Sequence, residues 1–437
     1  MRLPTTATAP FCPPEVQGTI AVPAGLSVLQ KFFRFAGPGL LVSVGYMDPG
    51  NWATDIEAGS RYGYALLFVV VASSLAAIVL QTLAARLGIA SGRDLAQLAR
   101  DRYSPAASRT LWLLAEIAIV ACDIAEVLGS ALAIKLLFGL PLWIGVLLTA
   151  LDTVFVLGLA SRGFRRIEAI ILALVATIAA CFVVQLVIAQ PSLAAILPGL
   201  VPDPAKLADP HALYLAIGIL GATIMPHNLY LHSSIVQTRI VAPTVTARRQ
   251  AIRFSTADIV GSLLLASMVN AAILILAAAT FHASGNTHIA DIEDAWRLLE
   301  PLTGAAIAAP LFAIALFASG QSATFTGTIA GQVILEGFLH LRIPCWQRRF
   351  ITRGLALVPA LAGVLWLGEH AVGRMLVMTQ VVLSAQLPFA IYPLVRFTGD
   401  RSIMGDFVSP LWLRLLAWLL FAVIAAANVW MLVGFMS

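Results

Sequence analysis

Two short strings in this chain gather groups able to hold a metal ion. They are Asp48-Pro49-Gly50-Asn51 and Met225-Pro226-His227-Asn228, and each interrupts a long apolar segment. Proline removes a backbone donor and blocks the helix ladder. In a bilayer no water satisfies the freed backbone groups, so such a break is tolerated only where protein or a wet cavity receives them. Around the breaks stand a carboxylate, two amides, a thioether and an imidazole. Half-helix ends and bare carbonyls beside them can face an ion. Asp48 is costly at mid-membrane and is a functional candidate for that reason, since no Arg or Lys lies near it in its segment. Asn51 adds an amide oxygen one helical turn later. Unwinding before Pro226 should free the carbonyl of Ala222, and Met225 offers sulfur. Oxygens alone suit a hard ion such as Mg²⁺ or Ca²⁺; a thioether shifts preference toward Mn²⁺, Fe²⁺, Co²⁺, Zn²⁺ or Cd²⁺.

The elements that position these groups are membrane helices. The 437 residues are 60% hydrophobic and 11% charged, with a mean hydropathy of +0.91, which excludes an ordinary soluble domain. The fold class expected is an all-α polytopic membrane protein. Eleven apolar spans fall at about 36–60, 63–89, 110–138, 141–160, 167–190, 212–237, 254–281, 304–338, 351–367, 371–396 and 410–435. The breaks lie in spans 1 and 6, with Pro49 matching Pro226 and Asn51 matching Asn228. Equivalent positions are five spans apart, so spans 1–5 and 6–10 run in opposite membrane orientation. An inverted five-helix repeat with broken first helices is the architecture of one large class of secondary transporters. The expected divisions are a tail at 1–30, a first repeat at 31–190, an outside connection at 191–211, a second repeat at 212–396, and a loop with span 11 at 397–437.

Basic residues set the orientation. With the N-terminus inside, 22 Lys and Arg fall on inside connections; only Arg61, Lys135, Lys206, Arg297 and Arg374 fall outside. That asymmetry implies a cytoplasmic N-terminus and an outside C-terminus. It also accounts for the net charge of +5 without a nucleic-acid partner; the inner basic face suits anionic lipid. Residues 1–30 lack a basic segment followed by a long apolar core, so a mobile cytoplasmic tail is expected rather than a signal peptide. Cys12, Cys122, Cys181 and Cys345 form no CxxC pair, and neither a thiol metal site nor a disulfide is expected.

Span 3 holds Glu116, Asp123 and Glu126 in otherwise apolar sequence. At about 100° per residue the three fall within roughly 80° of one another. Acids on one helix face read as a proton relay, or as one side of an acid–Arg network with Arg348, Arg349 or Arg353. Gln81 in span 2 is a buried amide that either bonds near the site or joins helices.

The DPGN and MPHN strings resemble the signature of the Nramp family of divalent metal transporters. Supporting stretches are Gly37-Pro38-Gly39-Leu40, the Asp55/Glu57/Gly59 run, and Gln380-Val381-Val382-Leu383-Ser384 with Gln386-Leu387-Pro388-Phe389 in span 10. The resemblance covers nearly the whole chain. It implies a LeuT-type fold and proton-coupled import of Mn²⁺ and Fe²⁺, with Cd²⁺ and Co²⁺ also carried, by alternating access. It carries metal ligation onto Asp48, Asn51, Met225 and the Ala222 carbonyl, with Gln380 joining in an occluded state. A magnesium-transporting branch lacks the methionine present here. Proton handling passes to Asp48, Asp123 and Glu126, with Glu116 nearer the cytoplasmic exit, and to His227 and His232 without direct ligation; a histidine titrates near physiological pH. The partners implied are a divalent metal ion, protons and membrane lipid, with no resident cofactor and a monomer as the working expectation. Few lysines and many arginines and alanines suggest a bacterial inner membrane. The alternatives are a same-fold symporter for Mg²⁺ or an organic solute, and an intramembrane metalloenzyme. Asp48 would repel a substrate carboxylate, and no H-E-x-x-H motif is present, so no enzyme activity is expected.

Overall fold

The computed structural model describes residues 18, 20–22, 25, 27–151, 164–339 and 345–436. Nine helices among them are long and apolar enough to cross a membrane: Leu67–Ser91, Pro105–Phe138, Arg166–Ala189, Pro210–Thr238, Val245–Ser284, Ala308–Leu339, Phe350–Leu367, Glu369–Thr398 and Leu411–Val433. These are spans 2, 3 and 5–11. Span 1 is split into Pro38–Ser43, a 3-10 turn Val44–Met47, and Pro49–Tyr62. Span 4 begins as Leu142–Leu148, and the rest of its expected range lies outside the described residues beyond Leu151. Across the described residues the expected spans agree with the fold to within several residues, except that span 7 begins at Val245, nine residues before its expected start. Its class is an all-helical bundle with a LeuT-type inverted repeat.

The broken spans form the centre. Span 6 is 83% buried over its most apolar window, whereas span 11 is 22% and span 9 is 28% buried, so these two stand at the lipid-facing edge. Spans 2, 3, 7, 8 and 10 pack on the halves of spans 1 and 6, and span 8 packs along spans 3 and 5. Trp52 is wholly buried and sets its ring edge-on to Phe182 of span 5 (4.9 Å) and Phe312 of span 8 (5.1 Å). Each such pair contributes about 0.5–1.5 kcal/mol beyond its buried area. Together they fix the C-terminal half of span 1. Span 3 reaches the first break because residue 129 has no side chain: a Cβ on Gly129 would fall on the Pro49 ring.

Each break is built by its own residues. Asp48 leaves the helix with extended backbone (ψ 165°) and caps the next half; Pro49 occupies the first helical position, where its missing N–H is not needed. In span 6 Met225 takes φ 41°, the left-handed region that favours glycine, and Pro226 starts the second half. A non-glycine residue held there costs on the order of 1–3 kcal/mol and marks a site where surrounding structure enforces the conformation.

One end of the bundle is locked by a second polar cluster. Arg239, after span 6, donates to Glu168 Oε1 (2.8 Å), Ala36 O (2.8 Å) and Arg34 O (3.3 Å). Asp258 of span 7 accepts from Gly37 N (3.2 Å) and Gly39 N (2.7 Å). The cation therefore grips carbonyls at the C-terminal end of helix Val28–Phe35, while the anion grips amides at the start of Pro38–Ser43. Both signs match the helix ends. Gly37 sits at φ 134°, and a Cβ there would strike Glu168 and Arg239. Helix Val28–Phe35 begins inside the expected tail, behind a Ser27/Gln30 capping box. Gly18 N and Ile20 N donate to Gln237 O and Thr238 O (both 3.0 Å), holding these tail residues against the end of span 6; most of 1–27 lies outside the described residues. At the opposite end Lys135 bridges Glu293 (2.6 Å) and Glu369 (2.5 Å).

Candidate metal centre

Carbonyls at the first break take donors from side chains of neighbouring helices. Asn270 Nδ2 of span 7 donates to Tyr46 O (2.7 Å), and Trp52 Nε1 donates to Met47 O (3.2 Å), which Ser319 Oγ of span 8 also reaches. Gly45 O and, from span 6, Ala222 O both face Asn51. The Tyr46 hydroxyl donates to Ile224 O (3.4 Å). Protein groups thus receive the broken backbone, as a bilayer requires.

Asp48, Asn51, Ala222, Met225 and Gln380 are brought together, and all five are buried, none more than 1% exposed. Asn51 is the hub. Its Nδ2 donates to Asp48 Oδ1 (2.7 Å), Ala222 O (3.1 Å) and Gly45 O (3.5 Å). A carboxylate and two carbonyl oxygens therefore converge on one positively polarised group. Asn51 Oδ1 accepts from Asn270 Nδ2 (3.3 Å) on the other side. The Met225 sulfur accepts from Asn228 Nδ2 (3.5 Å). Gln380 lies against Gly50, where a Cβ would collide with its amide. Several polar atoms here are buried without a hydrogen bond: Asp48 Oδ2, Thr223 Oγ1, Asn228 Oδ1, Asn270 Oδ1 and Gln380 Oε1. Buried polar groups are normally paired, so a set of orphan acceptors in one place suits a cation or ordered water. Among the described residues no three His, Cys, Asp or Glu side chains gather as a metal centre. The donor set at the break is mixed: one carboxylate, amides, a carbonyl and a thioether.

The acids of span 3 divide. Asp123 and Glu126 are buried, and both face Gly327 of span 8, where an added Cβ would lie 3.2 Å from Asp123 Oδ1 and 2.8 Å from Glu126 Oε1. Glu116 stands apart, part-buried, accepting from Trp112 Nε1 (3.0 Å). Arg353 is buried and donates to Thr149 O (3.2 Å); the side chains of Arg348 and Arg349 lie outside the described residues. The two histidines also separate. His227 Nε2 lies 3.8 Å from Cys122 Sγ, which lies 3.6 Å from Glu126 Oε1, so this thiol joins the imidazole to the acids. His232 Nδ1 instead meets Gln81 Oε1 (2.9 Å), and Gln81 Nε2 donates to the Tyr46 hydroxyl (2.7 Å). Gln81 is therefore a link toward the site. Sequence reasoning does not find Tyr46, Asn270 and Cys122 as partners; their signal is polarity inside apolar spans. Asp55, visible in sequence only as part of a run, is buried with Oδ2 unpartnered, two turns beyond Asp48 on the same helix. Cys122 and Cys181 are free thiols; Cys12 and the side chain of Cys345 lie outside the described residues.

Fold and centre together define a multi-pass membrane protein of the LeuT-fold class, with a polar heart at two helix breaks. A family profile described as Nramp, natural resistance-associated macrophage protein-like, matches residues 39–434. The chain is 64% identical to the divalent metal cation transporter MntH 1 of Pseudomonas aeruginosa over 98% of both chains. It is 62% identical to the divalent metal cation transporter MntH of Ralstonia nicotianae, over 98% of this chain and 97% of that one. A crystal structure of the Eremococcus coleocola manganese transporter, in complex with an aromatic bis-isothiourea substituted compound, superposes with a TM-score of 0.89 at 39% identity, covering 97% of this chain and 92% of that one. An inward-facing structure of Mhp1 shares the fold, with a TM-score of 0.55 at 15% identity over 92% and 81% of the two chains. The chain belongs to the Nramp family.

Proposed function

We propose that this protein imports divalent transition metals, Mn²⁺ and Fe²⁺ foremost and Cd²⁺ and Co²⁺ as well, in symport with protons. The observation that carries the reading is the convergence of Asp48 Oδ1, Ala222 O and Gly45 O on the Asn51 amide, next to a methionine held at φ 41°. The Asn51 NH₂ stands where a cation would. Turning the amide over presents its oxygen instead, completing a set of Asp48, Asn51 and the Ala222 carbonyl, with the Met225 sulfur. Gln380 moves in from Gly50 when the site occludes. One carboxylate gives the site a single negative charge, which suits an ion that must leave as well as bind. The sulfur favours transition metals over Mg²⁺ and Ca²⁺. An organic-solute symporter is disfavoured by Asp48 itself.

Protons take Asp48, Asp123 and Glu126, with His227 reached through Cys122, and Glu116 nearer the cytoplasmic exit. His232 acts through Gln81 and Tyr46 on the first break. The charge asymmetry supports a cytoplasmic N-terminus and an outside C-terminus in a plasma membrane, read as a bacterial inner membrane. On this reading the two repeats, 31–190 and 212–396, move against each other around the breaks, and span 11 lies outside them.

The test is uptake into sealed proteoliposomes of Mn²⁺, Fe²⁺, Cd²⁺, Mg²⁺ and Ca²⁺ at two external pH values. Uptake of the first three that rises with an inward proton gradient is expected. Uptake of Mg²⁺ equal to that of Mn²⁺, or no uptake of any ion, would refute the reading.

A further inference from the structure

Spans 3, 9 and 10 leave a groove of about 470 Å³ on the lipid-facing surface, away from the two breaks. Its walls are apolar: Ala121 and Ile124 of span 3, Leu367 at the end of span 9, and Met375, Met378 and Val382 of span 10. The volume is that of a small-molecule site. Arg374 stands at one end and is exposed. No carboxylate among the described residues pairs with it. Nearby acids are engaged elsewhere: Glu369 by Lys135 and by Leu142 N (3.2 Å), Glu293 by Lys135 and Arg297, Asp291 by Gly373 N (2.8 Å). The guanidinium is an unneutralised charge above an apolar slot.

Depth fits the same picture. At about 1.5 Å per residue, Val382 lies roughly 12 Å further into the bundle than Arg374 along span 10. Trp366, 86% exposed, ends span 9 beside Leu367 and the Gly368 turn. Exposed tryptophan at a span end marks the headgroup level of a bilayer. Arg374 therefore sits at the headgroups, and the groove runs from it along the acyl chains.

We propose that this groove binds an anionic membrane phospholipid, its phosphate on the Arg374 guanidinium and one acyl chain along Met375, Met378 and Val382 against Ala121 and Ile124. Arginine is matched in geometry to phosphate oxygens, and an unbalanced positive charge selects a lipid of net negative charge over a zwitterion. The chain lies behind working parts of the protein. Ala121 adjoins Cys122, Ile124 falls between Asp123 and Glu126, and Thr379, also in the wall, adjoins Gln380. A bound lipid thus presses on both helices that carry those groups without entering the ion site. The leaflet depends on the orientation proposed above; the binding does not.

Native mass spectrometry of the whole protein, released from nanodiscs of equal phosphatidylglycerol and phosphatidylcholine, tests this. The wild type is expected to retain one phosphatidylglycerol in preference to phosphatidylcholine. Arg374→Gln should weaken that retention by about tenfold or more, the worth of one charge-assisted hydrogen bond. Met378→Trp, which fills the groove and leaves the charge, should weaken retention of either lipid. Lys206→Gln, removing a cation that does not line the groove, should change nothing. The proposal is overturned by equal retention of both lipids in the wild type, which means unselective annular lipid, by wild-type retention in Met378→Trp, or by an equal loss in Lys206→Gln. Should Arg374→Gln not fold, Met378→Trp and the lipid preference of the wild type decide alone.

Discussion

Arg239→Gln should unlock one end of the bundle. The guanidinium is almost wholly buried (side chain 1% exposed), as is its partner Glu168 (6%). Breaking a buried ion pair by removing one partner costs about 3–5 kcal/mol. Here the loss also frees Ala36 O and Arg34 O, at the junction of helix Val28–Phe35 with span 1. Asp258 still holds Gly37 N and Gly39 N, so the segment should open locally while the fold persists. Amide hydrogen exchange of a peptide covering 36–43 reads that opening directly. The cost corresponds to exchange faster by between about 100- and 5,000-fold. Glu168→Gln with Arg239→Gln removes both charges and should recover most of the protection, because replacing both members of a buried pair costs far less than breaking it by removing one. Unchanged exchange in Arg239→Gln would mean the cluster does not hold the junction. A double variant as exposed as the summed single effects would mean the two residues act independently.

Asp48→Ala or Asn51→Ala should weaken Mn²⁺ binding in calorimetry by more than about 100-fold, since even residues that merely orient ligands are worth about 10- to 100-fold; wild-type affinity in either would remove the assigned site. Met225→Ala should lower the ratio of Cd²⁺ to Ca²⁺ transport by about tenfold, because the only soft donor is gone and oxygens remain; an unchanged ratio would take Met225 out of the selectivity. Asp123→Asn should leave metal affinity near wild type while metal-stimulated proton uptake in vesicles falls, since Asp123 lies beside Gly327 of span 8; parallel loss of both would place it in the ion site or in a structural pair.

Prolines in apolar runs make much of the centre legible, because they say where helices must break, and the helical period places the next ligand one turn on. Asp48, Asn51, Ala222 and Met225 lie within four residues of such a proline, and they meet as expected. Partnerships across the chain are not legible in the same way. Asn270 reaches Tyr46 O from 224 residues away, and Gln81 meets His232 over 151. Nothing local marks such pairs, because the register of two packed helices decides them. The helical period does put His227 and His232, five residues apart, on different parts of the helix surface, but it does not say which neighbours each meets. A lone thiol such as Cys122 rarely acts, yet packing puts it between Glu126 and His227. Composition alone makes residues 1–30 a tail, although Ser27-Val28-Leu29-Gln30 spells a capping box.

The backbone of Met225 has a consequence for how this sequence can drift. A residue at φ 41° is held uphill, and glycine at the same place would relax it. Yet the side chain is wholly buried, and emptying its place costs about 2–5 kcal/mol, more than the strain a glycine would release. Folding alone therefore keeps a large side chain at position 225 on a strained backbone, and demand for a soft donor decides which one. In a lineage released from the need for transition metals, an apolar residue of similar volume is the change expected here.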